Sequence, residues 1–317
     1  MSRSDRTDRR GEATGGTRRW LLLVAPAALI GALLAWMLAA SDPVQPEAPV
    51  RALADLAGAA VLGLAALPRL HDRVETSWRT LTVVAGCWVA MEFAMLVLEA
   101  TEVLGVSTGE LAAGQFADYL VEVSGGQIGI AILLGSGAVA AYSAFGFRLP
   151  DRATPDLVLV FAAVTLALRP ITGHMSQQLF GSVLGAIHAL AASAWLGLLL
   201  ALALVVRTRG EWAVLLPRYS AWALPLAAVV AATGIIDGLV RIGGVTPLIT
   251  TGYGRILLAK TVFLAALLGL GWWWRTRWVP IARDHRMNAE SSLRRAVLET
   301  VAMAVVFGLA ATLAVTA

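Results

Sequence analysis

Apolar runs long enough to cross a lipid bilayer follow one another from Trp20 to the C-terminus, and this pattern constrains the fold before any motif is considered. A bilayer core about 30 Å thick takes roughly 20 helical residues at 1.5 Å rise each. Hydrocarbon offers backbone polar groups no water, so such a run must be a helix that satisfies its own N–H and C=O groups. Nine runs are read, at residues 20–40, 52–67, 81–98, 126–147, 157–168, 179–206, 222–240, 256–274 and 296–315; the second and fifth are short. Hydrophobic residues fill 58% of the 317 positions and charged residues only 15%, against roughly 25% charged in soluble domains. The expected fold is all-α, a polytopic membrane helix bundle of about nine transmembrane helices.

Lys and Arg resist translocation and accumulate on the cytoplasmic side. With the Arg-rich N-terminus inside, twenty of the 25 basic residues fall in inner segments, leaving Arg51, Arg169, Arg241, Arg255 and Lys260 outside or in the outer leaflet. The orientation is therefore N-terminus in, C-terminus out, in a bacterial cytoplasmic membrane with lipid around it. The basic excess labels topology, and no nucleic-acid partner is expected. The chain divides into a polar basic tail at 1–19, expected to be disordered, four spans in 20–150 and five in 151–317. The run at 20–40 exceeds a signal-peptide core and lacks a clear small-x-small site before Ser41, so it reads as a retained span. The single cysteine, Cys87, excludes an intrachain disulfide and any Cys-x-x-Cys motif. The longest breaks, 99–125 outside and 275–295 inside, are too short to bury a core. Neither a phosphate loop nor a nucleophile elbow is present, so no enzymatic activity is expected.

Acids count little toward orientation and are free to mark function. Ten of them, including Glu47, Asp55, Glu92, Glu99, Glu102 and Asp237, fall in the outer half, where a cation would be attracted or where they form a solvated rim. On the third span, at 100° per residue with Cys87 at zero, Met91 falls near 40°, Met95 near 80°, Glu99 near 120° and Glu92 near 140°. Thiol and thioethers select Cu(I); the same residues also serve as ordinary core packing. Glu92, an ionisable group inside the span, is either functional or paired.

Two of the four histidines, His174 and His188, lie fourteen positions apart at the outer rim, with Met175 beside the first. Imidazole and thioether together at one rim point to a soft metal site. Gly181 and Gly185 form a small-xxx-small pair on the His188 face, and Trp195 follows seven residues on. Asp237 lies between Gly234 and Gly238, and Lys260, the sole lysine, enters the next span beyond Tyr253. The plain reading of Asp237 and Lys260 is a buried ion pair; the sharper one lets the pair open during transport or makes Asp237 a ligand or proton carrier. His71 and His285 are read as solvated inner-loop residues. Trp272, Trp273, Trp274 and Trp278 read as an inner-interface belt.

GHM at 173–175, HALAASAWLG at 188–197, RYSAWALPLAAVVAATG at 218–234 and YGRILLAK at 253–260 together resemble the copper-resistance D (CopD/PcoD) family of bacterial inner-membrane proteins. The resemblance implies copper movement across the cytoplasmic membrane, often with a periplasmic CopC-like copper-binding partner. It points to His174 and His188, then Trp195, Tyr253 and Lys260. The expected cargo is a copper ion, Cu(I) favoured, captured by His174, Met175 and His188 and passed to Met91, Glu92 and Met95, with Asp237, Lys260, Trp195, Tyr253, Cys87 and Glu99 supporting the path. Two alternatives stand beside copper uptake: b-type haem electron transfer through paired histidines, and copper delivery to a respiratory oxidase.

Overall fold

The computed structural model describes residues 17–39, 45–72, 74–171, 181–242 and 244–315. Ten helices of more than one turn are described: α1 (Val24–Ala39, entered through a 3-10 turn Arg19–Leu23), α2 (Ala48–Ala66), α3 (Trp78–Leu104), α4 (Ala113–Glu122), α5 (Ser124–Arg148), α6 (Pro155–Leu168), α7 (Gly181–Val205), α8 (Arg209–Ile242), α9 (Gly252–Arg283) and α10 (Ala289–Leu313). All but α4 and α6 are long and apolar enough to cross a membrane.

Helix α6 has 14 residues, about 21 Å, yet it spans the same layer as α2. Its first turn is held by Asp156, whose carboxylate accepts from Arg69 at the end of α2 at 2.7 Å. Just past its last turn, Arg169 reaches Asp55 near the start of α2 at 3.3 Å. The two helices are thus antiparallel, and the expected ninth crossing is present as a short one. Alternation holds throughout. Outer ends meet where Arg255 of α9 donates to the Leu38 and Ala39 carbonyls of α1, at 2.7 and 3.1 Å. Inner ends meet where Arg218 of α8 donates to the Leu70 carbonyl at 2.8 Å and where Arg18 donates to the Leu204 carbonyl at 2.8 Å.

Local chemistry sets the boundaries. Proline occupies the first turn of α2 and α6, where its missing N–H is not needed. Thr251 and Asn288 accept from the first-turn N–H groups of Gly254 and Ser291. Gly105 ends α3 at φ 65°, the left-handed position that closes a helix. The apolar windows place helix starts too late in α8 and α10 and the end of α9 too early. α8 has 34 residues and α9 has 32, each about 50 Å, so both extend past the hydrocarbon on the inner side and replace most of the expected loop at 275–295. Pro217 and Pro225 sit inside α8 without ending it; in the turn before Pro225, the Ser220 carbonyl accepts from Arg275 of α9. The expected outer loop at 99–125 holds α4, whose Tyr119 is buried against Leu96 and Ala100 of α3. The tryptophan belt divides: Trp272 and Trp273 are exposed, whereas Trp278 is buried against Trp212 and Trp274.

Helix α2 is central, packing on α1, α3, α6, α7 and α10. Backbones approach at glycine pairs, Gly63 with Gly197 between α2 and α7, and Gly31 with Gly308 between α1 and α10. Lipid tails are as apolar as leucine, so such close van der Waals contact is what holds membrane helices together. A Cβ at Gly308 would overlap the Ala28 carbonyl, while one at Gly137 meets nothing within 4 Å. Gly308→Ala is expected to cost about 1–3 kcal/mol, read as a lower thermal midpoint in detergent, and Gly137→Ala to leave the midpoint unchanged.

Candidate functional site

Two cavities lie near the outer end of the bundle on either side of a charged partition. The first, about 230 Å³, is enclosed by α7, α8, α9 and α10, with Arg51, Asp55 and Arg169 on the remaining side. His188 of α7 lines it, together with Thr233, Asp237 and Arg241 of α8 and Tyr253 and Lys260 of α9. Gly234 leaves room for the imidazole, with the position of a Cβ there 3.5 Å from His188 Cε1.

The His188 tautomer follows from its partner. Thr233 Oγ1 gives its only proton to the Val229 carbonyl at 2.7 Å. What it presents to His188 Nδ1, 2.7 Å away, is therefore a lone pair. Nδ1 carries the hydrogen and Nε2 keeps its lone pair, the form in which a neutral imidazole binds a metal while its other nitrogen is held by an acceptor.

Asp237 Oδ1 is buried and has no hydrogen-bond partner. Lys260 feels Asp237 through space, yet the two do not close to a direct ion pair. The plain expectation of a contact pair is corrected: the cavity holds them apart. Arg241 stacks on the Tyr253 ring, 4.2 Å from guanidinium carbon to ring centroid.

The second cavity, about 320 Å³, lies between the start of α2, the outer half of α3, α4 and α5, and is lined by Glu47, Glu99, Glu102 and Met95 among others. Between the cavities stands Arg169. Its Nη2 donates to both Glu92 oxygens at 2.5 and 2.7 Å, its Nε faces Asp55 at 3.3 Å, and its Nη1 lies 3.0 Å from Met95 Sδ. Trp88 Nε1 donates to Glu92 Oε1 at 2.7 Å. Arg51, 4.0 Å from Asp55, completes the partition; both arginines line both cavities.

Residues 213–313, which run from α8 to the end of α10, match the family model described as copper resistance protein D (CopD). In this region the chain is a CopD-family protein. It is also similar to the copper transport protein CutJ of Bacillus subtilis (strain 168), 26% identical over 218 residues that cover 61% of this chain and 39% of that protein. The chain thus spans about two fifths of the length of that curated relative. No solved structure matches it.

The CopD-matching helices carry Asp237, Tyr253 and Lys260, and α7 brings His188 to them. Four of the residues singled out in the sequence share this one cavity. His174 and Met175 lie outside the described residues. Of the third-span set, Glu92, Met95 and Glu99 line the acidic cavity instead, and Glu92 is engaged by Arg169 and Trp88. Met91 packs against the core and lines neither cavity, and Cys87 is exposed on the outer surface of the bundle. The buried face of α3 is centred on Trp88, near 100° on the same wheel, which leaves Cys87 at its edge. Trp195, on the His188 stripe, belongs to a different cavity nearer the inner side. Among the described residues, no three His, Cys, Asp or Glu side chains converge to hold a metal ion.

Thr233 and Arg169 were not singled out by the sequence reading, although Arg169 was signalled as one of five bases on the base-poor side. At the outer rim just ahead of α2, burial pushes the Glu47 carboxyl up from 4.5 to about 7, with Glu102 and Glu99 acting in the same direction. A carboxyl whose folded value is raised stabilises the fold fully below its unfolded value and loses that contribution as pH rises to the folded one. Thermal midpoints measured from pH 4.5 to about 7 should therefore fall less steeply in Glu47→Gln than in the native protein.

Proposed function

We propose that this protein moves copper ions inward across the bacterial cytoplasmic membrane, receiving them in the cavity around His188. The observation that carries the reading is the His188 imidazole, fixed by Thr233 with Nε2 unprotonated, in an outer cavity that also holds an unpartnered Asp237 oxygen. An imidazole nitrogen suits either copper oxidation state. The match to copper resistance protein D and the likeness to a protein named for copper transport support the choice of metal.

One imidazole and one carboxylate do not complete a site. His174 and Met175 supply the missing donors in this proposal: Pro170 and Leu184, which flank their segment, both line the cavity. Thioether and imidazole together favour Cu(I), so reduction precedes or accompanies entry. The acidic cavity of Glu47, Glu99 and Glu102 raises the local cation concentration beside it, and a CopC-like periplasmic protein is the donor this rim would meet.

Charge must balance inside the cavity. Arg51 and Arg169 are matched by Asp55 and Glu92, which leaves Asp237 facing Lys260. The cation takes the place of the Lys260 ammonium in the field of Asp237, and Lys260 in turn expels it by competing for the same carboxylate. No bound cofactor is required. Among the described residues, no second histidine lines the cavity, so no specific observation favours haem.

Copper uptake into proteoliposomes tests this. His188→Ala should abolish uptake. Lys260→Met should bind copper more tightly and release it more slowly. Uptake unchanged in His188→Ala would end the proposal.

A further inference from the structure

A second cavity lines up with the first along the same four helices. About 80 Å³ in volume, it is walled by Trp195 of α7, Tyr219 of α8, Trp274 and Arg275 of α9 and Glu299 of α10. Trp195 lies seven residues below His188 on α7, about 10 Å toward the inner side. Glu299 lies a similar distance below Phe307 of α10, which lines the outer cavity.

Glu299 is buried, at 6% exposure, and no hydrogen bond or ion pair holds its carboxyl among the described residues. Its nearest polar neighbour is Tyr219, whose hydroxyl is buried without a hydrogen-bond partner. Arg275, the one cation on this wall, is turned to Ser220, whose carbonyl and hydroxyl accept from its Nη1. Helix α10 also packs on α1 and α2, but the described part of α1 carries no titratable group and those of α2, Arg51 and Asp55, lie in the outer half. α7 contributes only His188, in the outer cavity. An ionised carboxylate left without a partner in hydrocarbon costs several kcal/mol. Core packing alone would be served better by an apolar side chain.

We propose that Glu299 is an inner cation-exchange site: a carboxylic acid that trades its proton for a monovalent cation arriving from the outer cavity. This rests on the copper-transport reading for its cargo. When the cation binds, the carboxyl O–H bond breaks, the proton leaves through the inner end, and carboxylate plus cation carries the same net charge as the acid did. When the cation departs inward, the carboxylate takes up a proton from the inner solution. The buried site therefore never holds an uncompensated charge, and no oxidant or reductant is consumed. Tyr219 supplies a hydroxyl to the carboxylate, and the indole faces around the cavity favour a soft monovalent cation over a hydrated divalent one.

Infrared spectra of the purified full chain in lipid, together with copper flux in proteoliposomes, test this. The native protein should show a carboxylic-acid C=O band at neutral pH that shifts in deuterated water and is missing in Glu299→Gln. In the same variant copper should still bind the outer cavity, with flux reduced about tenfold or more. If Glu299→Gln fails to fold, Glu299→Asp, which keeps the acid on a shorter arm, should shift the band and slow the flux. A native spectrum identical to that of Glu299→Gln, or undiminished flux in Glu299→Gln, overturns the proposal. Absence of copper flux in the native protein counts against the cargo instead, and the infrared band still decides whether Glu299 holds a proton.

Discussion

The Arg169 guanidinium lies out of water between α2, α3 and the end of α6, and a charge in that position has to bring its counter-charges with it. Asp55 comes from α2 and Glu92 from α3, and Trp88 holds the far side of the Glu92 carboxylate. Removing one member of such a group leaves a buried unpaired charge, at a cost of about 3–5 kcal/mol. The network fixes the outer halves of three helices. It also decides where cations can go, because it forms the wall between the acidic cavity and the His188 cavity. Glu92 spends its oxygens on this wall, which is why a carboxylate that reads as a ligand in the sequence becomes part of the partition.

The same constraint explains the five bases that break the inward bias of the other twenty. Arg51 and Arg169 form the partition, Arg241 stacks on Tyr253, Arg255 caps the carbonyls that end α1, and Lys260 faces Asp237 across the cavity. A base on the outer side of a membrane bundle is held there by a partner. That rule was available from the sequence, and applied to Arg169 it would have found the network, since Asp55 and Glu92 are the acids at matching depth.

Span number and order were legible because hydropathy reports where backbone cannot meet water. Helix ends were less so: the inner turns of α8, α9 and α10 lie beyond the hydrocarbon and stand on tryptophan packing and arginine-to-carbonyl bonds that hydropathy does not register. At the site, His188, Asp237, Tyr253 and Lys260 were legible as polar groups at outer positions in otherwise apolar helices. Thr233 was not, because threonine bonds its own helix carbonyl routinely and only the approach of α7 makes its lone pair an anchor for imidazole. The third-span face was misjudged in extent, as a wheel gives angles without saying which angle meets α2. Glu299 escaped because attention to the outer rim left the inner half unread.

Two cavities on one set of four helices, one at each half of the membrane, describe a path with an imidazole at its entrance. Its central claim is that copper at the entrance is bound through the His188 ring. X-ray absorption at the copper edge, on native protein loaded with one equivalent of Cu(I) and on His188→Ala treated identically, tests that claim most directly. The account predicts imidazole and sulfur scattering in the native spectrum and a loss of imidazole scattering in the variant. Identical spectra, or a first shell of oxygen alone, would contradict it.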